Sequence, residues 1–303
     1  MRRALPAVVT ATAATILTLA LPATASAATN GPIHFGYSSV INPDGTGEGS
    51  IPSRGLYSDF LSFSPDGMNT LYRSQESTEP NAPTTLVIDN AQYTAPRTLV
   101  DSAELGVSYV STSAWSPDGE WIAFRSFATD GSRDIGLIKP DGTDLTMLTV
   151  PSHLDIFSVS WLPDSSGVVY TRSPGVGDYE LCTTTVATDG TDCVDLPGGQ
   201  EYFFDHARVS PDGTTVLLTS QTSVDPETGS VYDLVRVDID GTNLVNLTEN
   251  EAGNQTTSSA WSPDGTAIAF SRYDGLWTMD ADGGNATRLS TANGDNVAWQ
   301  PVS

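Results

Sequence analysis

Trp115-Ser116-Pro117-Asp118-Gly119-Glu120-Trp121-Ile122-Ala123-Phe124 holds the turn and the strand from which the rest of the chain can be read. Proline presets the first turn dihedral, glycine takes the φ > 0 position that closes the turn, and Ile-Ala-Phe continues as strand. The same Ser-Pro-Asp-Gly recurs at Ser64–Gly67, Ser210–Gly213 and Ser262–Gly265, with a variant at Leu162-Pro163-Asp164-Ser165 and a truncated copy at Gln300-Pro301. The residue before each copy is large and apolar: Phe63, Trp115, Trp161, Val209, Trp261 and Trp299. Successive copies are 52, 46, 48, 52 and 38 residues apart. Six near-regular copies constitute an internal repeat, and the repeat sets the fold.

Each unit has one grammar. A strand ends in the large apolar residue, the Pro-Asp-Gly turn follows, and a second strand carries alternating apolar positions, as in Val168-Val169-Tyr170 or Ile268-Ala269-Phe270. A third strand, such as Ile135-Gly136-Leu137-Ile138, leads to a second Asp-Gly turn and a fourth strand, such as Leu145-Thr146-Met147-Leu148. Four strands at this period, without helical patterning, predict blades of an all-β propeller. Val297-Ala298-Trp299-Gln300-Pro301 is a first strand with nothing after it. Ile33-His34-Phe35 and Val40-Ile41-Asn42-Pro43-Asp44-Gly45 supply the second and third strands that it lacks. The expected fold is therefore a six-bladed β-propeller of four-stranded antiparallel blades over residues 28–303, its last blade closed by N- and C-terminal strands.

Residues 1–27 read as a signal peptide. Arg2 and Arg3 precede an apolar run from Ala4 to Leu21, Pro22 breaks it, and Ala25-Ser26-Ala27 offers small residues for cleavage. The run falls short of the roughly 20 apolar residues a membrane span needs. A secreted, extracytoplasmic protein without a membrane span is expected. Removing the two arginines moves the net charge from −24 to −26, and Lys139 is the sole lysine. So acidic a surface repels phosphate backbones and excludes nucleic acid as a partner. Cys182 and Cys193 flank the hairpin turn signal Asp189-Gly190, so a cross-strand disulfide is expected in an oxidising compartment. No histidine lies near enough to complete a two-cysteine metal site.

The repeats resemble those of the TolB family, the WD40-like or PD40 propellers, whose hallmark is W-S-P-D-G followed by I-A-F. The resemblance spans residues 28–303 and recurs in register. It implies the propeller fold and leaves activity open, because similar propellers serve as partner-binding modules, as regulatory halves of prolyl-oligopeptidase-like enzymes and as sugar lyases. TolB itself carries an additional N-terminal α/β domain, and the peptidases carry a hydrolase domain with a G-x-S-x-G elbow; neither is expected here.

Candidate site residues come from comparing the inner strands. The position before the large apolar residue reads Ser62, Ala114, Ser160, Arg208, Ala260 and Ala298, so Arg208 breaks a column of small side chains. Two residues earlier the column reads Phe60, Thr112, Ser158, His206, Ser258 and Asn296, and period-two alternation would aim His206 and Arg208 the same way. Asp205 precedes them, Asp59 and Asp295 hold its position in two other blades, and Phe204 adds an apolar contact. Two readings of Arg208 stay open: a structural ion pair with channel aspartates, or recognition of an anion beside a titratable imidazole. Tyr57, Tyr109, Phe157, Tyr202 and Phe203 also lie near first-strand entries, as blade packing or as a platform for a sugar ring or a partner's apolar side chain. His206-Ala207-Arg208-Val209-Ser210-Pro211 is similar to an H-x-x-x-S-P stretch of oligogalacturonate lyases, which use several histidines and a glutamine for a metal. Only His153 would join His206 here, while His34 sits within a second strand. Asp238-Ile239-Asp240-Gly241 and Asp280-Ala281-Asp282-Gly283 resemble fragments of a calcium loop but lack its closing glutamate, and turn chemistry is the expected role.

The chain thus reads as an exported, monomeric binding or scaffold module for a protein or carbohydrate ligand, acting at its channel face without a cofactor. The alternative is a secreted polysaccharide lyase or hydrolase with its site at the channel mouth.

Overall fold

The computed structural model describes residues 29–52, 57–75, 77, 79, 82–148, 155–175, 177–197, 205–225, 229–249, 255–292 and 294–302. Residues 1–27, expected above to be a signal peptide, and Tyr202, Phe203, Phe204 and His153 lie outside them. The chain enters through β1 (Thr29–Phe35), β2 (Ser39–Ile41) and β3 (Gly49–Ser50). The first blade follows as β4 (Tyr57–Phe63), β5 (Asn69–Gln75), β6 (Thr84–Asn90) and β7 (Arg97–Asp101). The second is β8 (Tyr109–Trp115), β9 (Ile122–Phe127), β10 (Arg133–Ile138) and β11 (Thr146–Leu148). In the third, the inner strand is split into β12 (Asp155–Ile156) and β13 (Ser160–Trp161), followed by β14 (Gly167–Gly175), β15 (Asp178–Thr185) and β16 (Thr191–Asp195). The fourth is β17 (Asp205–Val209), β18 (Thr215–Asp225), β19 (Gly229–Asp238) and β20 (Val245–Asn246). The fifth is β21 (Thr256–Trp261), β22 (Ala267–Arg272), β23 (Gly275–Asp280) and β24 (Thr287–Ser290), and β25 (Ala298–Val302) ends the chain.

The closing sheet has the order β25-β1-β2-β3, with Ile33 opposite Trp299 and His34 opposite Ala298. Both termini are thereby fixed in one ladder. Six antiparallel sheets result, matching the expected architecture. The core lies between blades rather than within one. Leu71, Leu86 and Ile88 of the first blade pack with Val110, Ile122 and Phe124 of the second, and Ile33, Phe35 and Trp299 of the closing blade pack with Ala260, Ala269 and Leu276 of the fifth. Polar bonds add to this contact. The indoles of Trp161 and Trp261 donate to the carbonyls of Ala114 and Arg208 in the preceding blades, each at 3.0 Å. Inner-strand serines do the converse: Ser158 and Ser258 accept from the backbone N–H groups of Ala207 and Val297 in the next blades, at 2.9 and 3.0 Å. Small residues in the inner column therefore carry the blade-to-blade bonding.

The Pro-Asp-Gly turns are built alike. In the second blade Ser116 Oγ donates to Asp118 Oδ1 (2.5 Å) and accepts from the N–H of Trp121 (2.9 Å), while Asp118 Oδ1 also accepts from Glu120 N (3.0 Å). Turns two strands later use threonine, as where Asp141 Oδ1 accepts from both the hydroxyl (2.7 Å) and the N–H (2.9 Å) of Thr143. At several of the turns such bonds favour the ionised carboxylate. Threonine hydroxyls, then backbone N–H groups, lower the carboxyl pKa of Asp44, Asp141 and Asp240; Ser166 does so for Asp164, and Ser210 for Asp212. At Asp264 partial burial alone would raise it, but donors from Thr266, Ser262 and Asn30 together lower it from 3.8 to about 2. A depressed folded-state pKa means stability that is complete above the unfolded value and is lost as pH falls through the folded one. Thermal melts followed by circular dichroism should therefore show the melting temperature dropping between about pH 4 and about pH 2, and Asp264→Asn should flatten that limb. A melting temperature level across the window would refute the role given to these turns.

Three local features modify the repeated blade. β18 and β19 extend through much of residues 221–230, with Gln221 opposite Tyr232 and Asp225 opposite Gly229. A one-turn helix, Ser102–Leu105, interrupts the all-β pattern; Asp101 caps it by accepting from Ala103 N, and Gly106 ends it in the left-handed region. Inner strands are also bulged, the fourth blade's between Asp205 and Arg208. The disulfide forms as expected. Cys182 and Cys193 are direct cross-strand partners on β15 and β16, and closing so short a loop contributes roughly 3 kcal/mol.

Candidate functional site: the axial channel and its two faces

Inner strands from several blades surround a channel segment of about 210 Å³, where Arg208 lies among Ser62, Phe63, Val209, Ala260 and Trp299. Among the described residues lining this segment, Arg208 is the charged one. Its Nη1 donates to the carbonyl of Ala207 at 3.0 Å. The odd member of the inner column thus lines the cavity enclosed by the inner strands.

Asp205 and His206 lie on β17, whose pairing with β18 is bulged between Asp205 and Arg208. Asp59 is on β4 opposite Arg73, just before the equivalent bulge of the first blade. Asp295 is exposed and belongs to a separate cleft, where its carbonyl accepts from Gly36 N at 2.6 Å. His34 is a buried structural residue, with its ring nitrogens 3.3 Å from Gln300 Oε1 and 3.3 Å from the Tyr93 hydroxyl. Among the described residues one group has metal-ligand spacing, Glu180 with Cys182 and Cys193, and its two sulfurs are bonded to each other.

Tyr109 serves packing. It stacks on Phe127 at 3.9 Å, with the guanidinium groups of Arg125 and Arg133 at 4.6 and 5.0 Å from the Phe127 ring, and burial raises its phenol pKa. Arg125 Nη1 meanwhile donates to the carbonyls of Ile156 and Phe157 in the next blade, both at 2.6 Å.

The turn face holds a feature that the sequence reading treated as structural only. Pro65, Pro117, Pro163, Pro211, Pro263 and Pro301, one from each blade, line a vestibule of about 560 Å³ together with Phe63, Trp115 and Trp161. Phe63 and Val209 line both cavities, so the apolar vestibule adjoins the segment that holds Arg208. One proline at the same place in each repeat was the available signal.

The model of PD40, the TolB beta propeller domain, matches residues 58–303. The chain belongs to this family. No curated protein matches it. Solved structures superpose on it at low sequence identity. TolB from Acinetobacter baumannii is 18% identical with a TM-score of 0.71, over 89% of this chain and 66% of that one. A TolB structure from Agrobacterium tumefaciens is 20% identical with a TM-score of 0.64, over 89% of this chain and 91% of that one. Oligogalacturonate lyase from Vibrio parahaemolyticus is 11% identical with a TM-score of 0.54, over 82% and 70%. The chain spans just under two thirds of the Acinetobacter protein's length. At these identities the likeness concerns the fold shared by TolB-type propellers.

Proposed function

We propose that this TolB-type propeller is an exported binding or scaffold module that recognises a protein or glycan through its axial channel. The carrying observation is Arg208, a cation in a strongly acidic molecule, lining a channel segment that adjoins an apolar vestibule. An anionic or hydrogen-bonding group of the ligand would meet the guanidinium while its apolar part fills the channel wall. His206, Asp205, Asp59 and Phe204 remain the proposed contacts at the loop face, Asp295 belonging to the separate cleft beside it, and residues 1–27 the export signal. No helix among the described residues is long and apolar enough to cross a membrane.

A second reading, a lyase or hydrolase with Arg208 binding a substrate carboxylate and His206 or an aspartate moving the proton, is motivated by the His206–Pro211 stretch. Activity on acidic oligosaccharides, with metal content measured in parallel, separates the two. The binding module should show no turnover, and Arg208→Ala should weaken capture of its ligand about tenfold or more. Turnover by the wild type that disappears in both His206→Ala and Arg208→Ala would replace the binding reading with the enzymatic one.

A further inference from the structure

We infer that the cleft between the fifth and closing blades, on the loop face and apart from the channel, is a binding subsite for a neutral saccharide. Tyr37 and Tyr273 are the exposed aromatic residues of the described chain, at 66% and 52%, and both line this one cleft of about 440 Å³. They lie in corresponding hairpins of adjacent blades, each joining a blade's second strand to its third. Tyr37 is in the hairpin joining β1 to β2, and Tyr273 is in the hairpin joining β22 to β23. Exposed tyrosines recur where a ligand offers an apolar face and a polar edge.

The floor between them is fixed by backbone. Gly36, at φ 58°, donates to the carbonyl of Asp295, and a side chain on Gly294 would collide with the backbone of Gly36. The hairpin and the loop entering β25 are therefore in direct contact. Arg272, also in the lining, is held by Trp277, whose ring lies 4.8 Å from its guanidinium carbon, and by Asp274 at 3.5 Å. Thr257 and Asp295 complete an array of hydroxyl, guanidinium and carboxylate groups.

A pyranose presents one ring face of C–H groups and a rim of hydroxyls that both donate and accept. Two tyrosine rings suit the face, and the mixed polar wall suits the rim. The strongly acidic charge of the chain disfavours uronates and phosphosugars, and Arg272 in the cleft is already held by Asp274, which selects a neutral glycan. This subsite does not depend on the channel reading.

Affinity electrophoresis through gels containing dextran, galactomannan, xylan or hydroxyethylcellulose, with polygalacturonate as the anionic counterpart, tests it. At least one neutral polymer should retard the protein. Tyr37→Ala and Tyr273→Ala should each weaken that retardation about tenfold, Tyr37→Phe and Tyr273→Phe should retain it, and Met68→Ala, exposed on a Pro-Asp-Gly turn, should leave it unchanged. Melting temperatures confirm that each variant is folded. Retardation by no neutral polymer, retardation by polygalacturonate alone, or equal retardation of folded alanine variants overturns the inference. So does tight binding at this cleft of a proline-rich peptide, followed by fluorescence polarisation, in place of any glycan.

Discussion

Trp299→Ala should reduce unfolding free energy by about 3–5 kcal/mol in urea denaturation, the largest loss expected from a single truncation in this chain. Trp299 is 7% exposed, sits opposite Ile33 in the closing ladder and packs with Phe35, Val297 and Leu276. Its indole N–H donates to the carbonyl of Gly31 at 2.8 Å. Truncation leaves a cavity in the one sheet whose strands come from opposite ends of the chain, and strips a buried acceptor of its donor. Trp299→Phe keeps most of the ring and should cost about 1–2 kcal/mol, the share of the hydrogen bond. If the alanine variant unfolds at the wild-type midpoint, the closing blade is not what holds the ring together.

The second large effect is expected at Gly67, and its near twin at Gly119 supplies the control. Both end a Ser-Pro-Asp-Gly turn in the left-handed region, at φ 69° and 76°. A Cβ on Gly67 would overlap the carbonyl oxygen of Pro301, whereas on Gly119 its nearest neighbour would be Pro65 Cδ at 3.9 Å. Gly119→Ala thus bears only the backbone penalty, about 1–2 kcal/mol. Gly67→Ala bears that penalty and must also push the first blade away from the closing one. We expect it to cost about 2 kcal/mol more than Gly119→Ala by chemical denaturation. Equal costs would mean that the contact between these two blades is soft.

The fold was legible because it is written six times. A Pro-Asp-Gly turn has a mechanism residue by residue, and its recurrence in register leaves few alternatives to a ring of blades. The closing of the last blade by Ile33–Phe35 followed from a strand at Trp299 that lacked partners. Local departures were less visible. The helix at Ser102–Leu105 is too short for periodicity to reveal, and the polar sequence around residues 221–230 hides a ladder extended by its neighbours in the fourth blade. Arg208 could be found as the odd residue in a repeated column. The bulge after Asp205 could not, because it adds a residue that alternation cannot anticipate. Tyr37 and Tyr273 escaped for another reason: each lies in an unremarkable hairpin turn, and only juxtaposition of the fifth and closing blades makes them a pair.

Thr29 faces Val302 at the outer end of the β1–β25 ladder, while His34 and Ala298 face each other at its inner end. A force pulling residues 29 and 302 apart would act across the strands and open their hydrogen bonds one after another, as a zipper opens, instead of shearing them together. The closing sheet should therefore peel at low load when drawn from its ends. Tethering the protein at an interior turn would protect it.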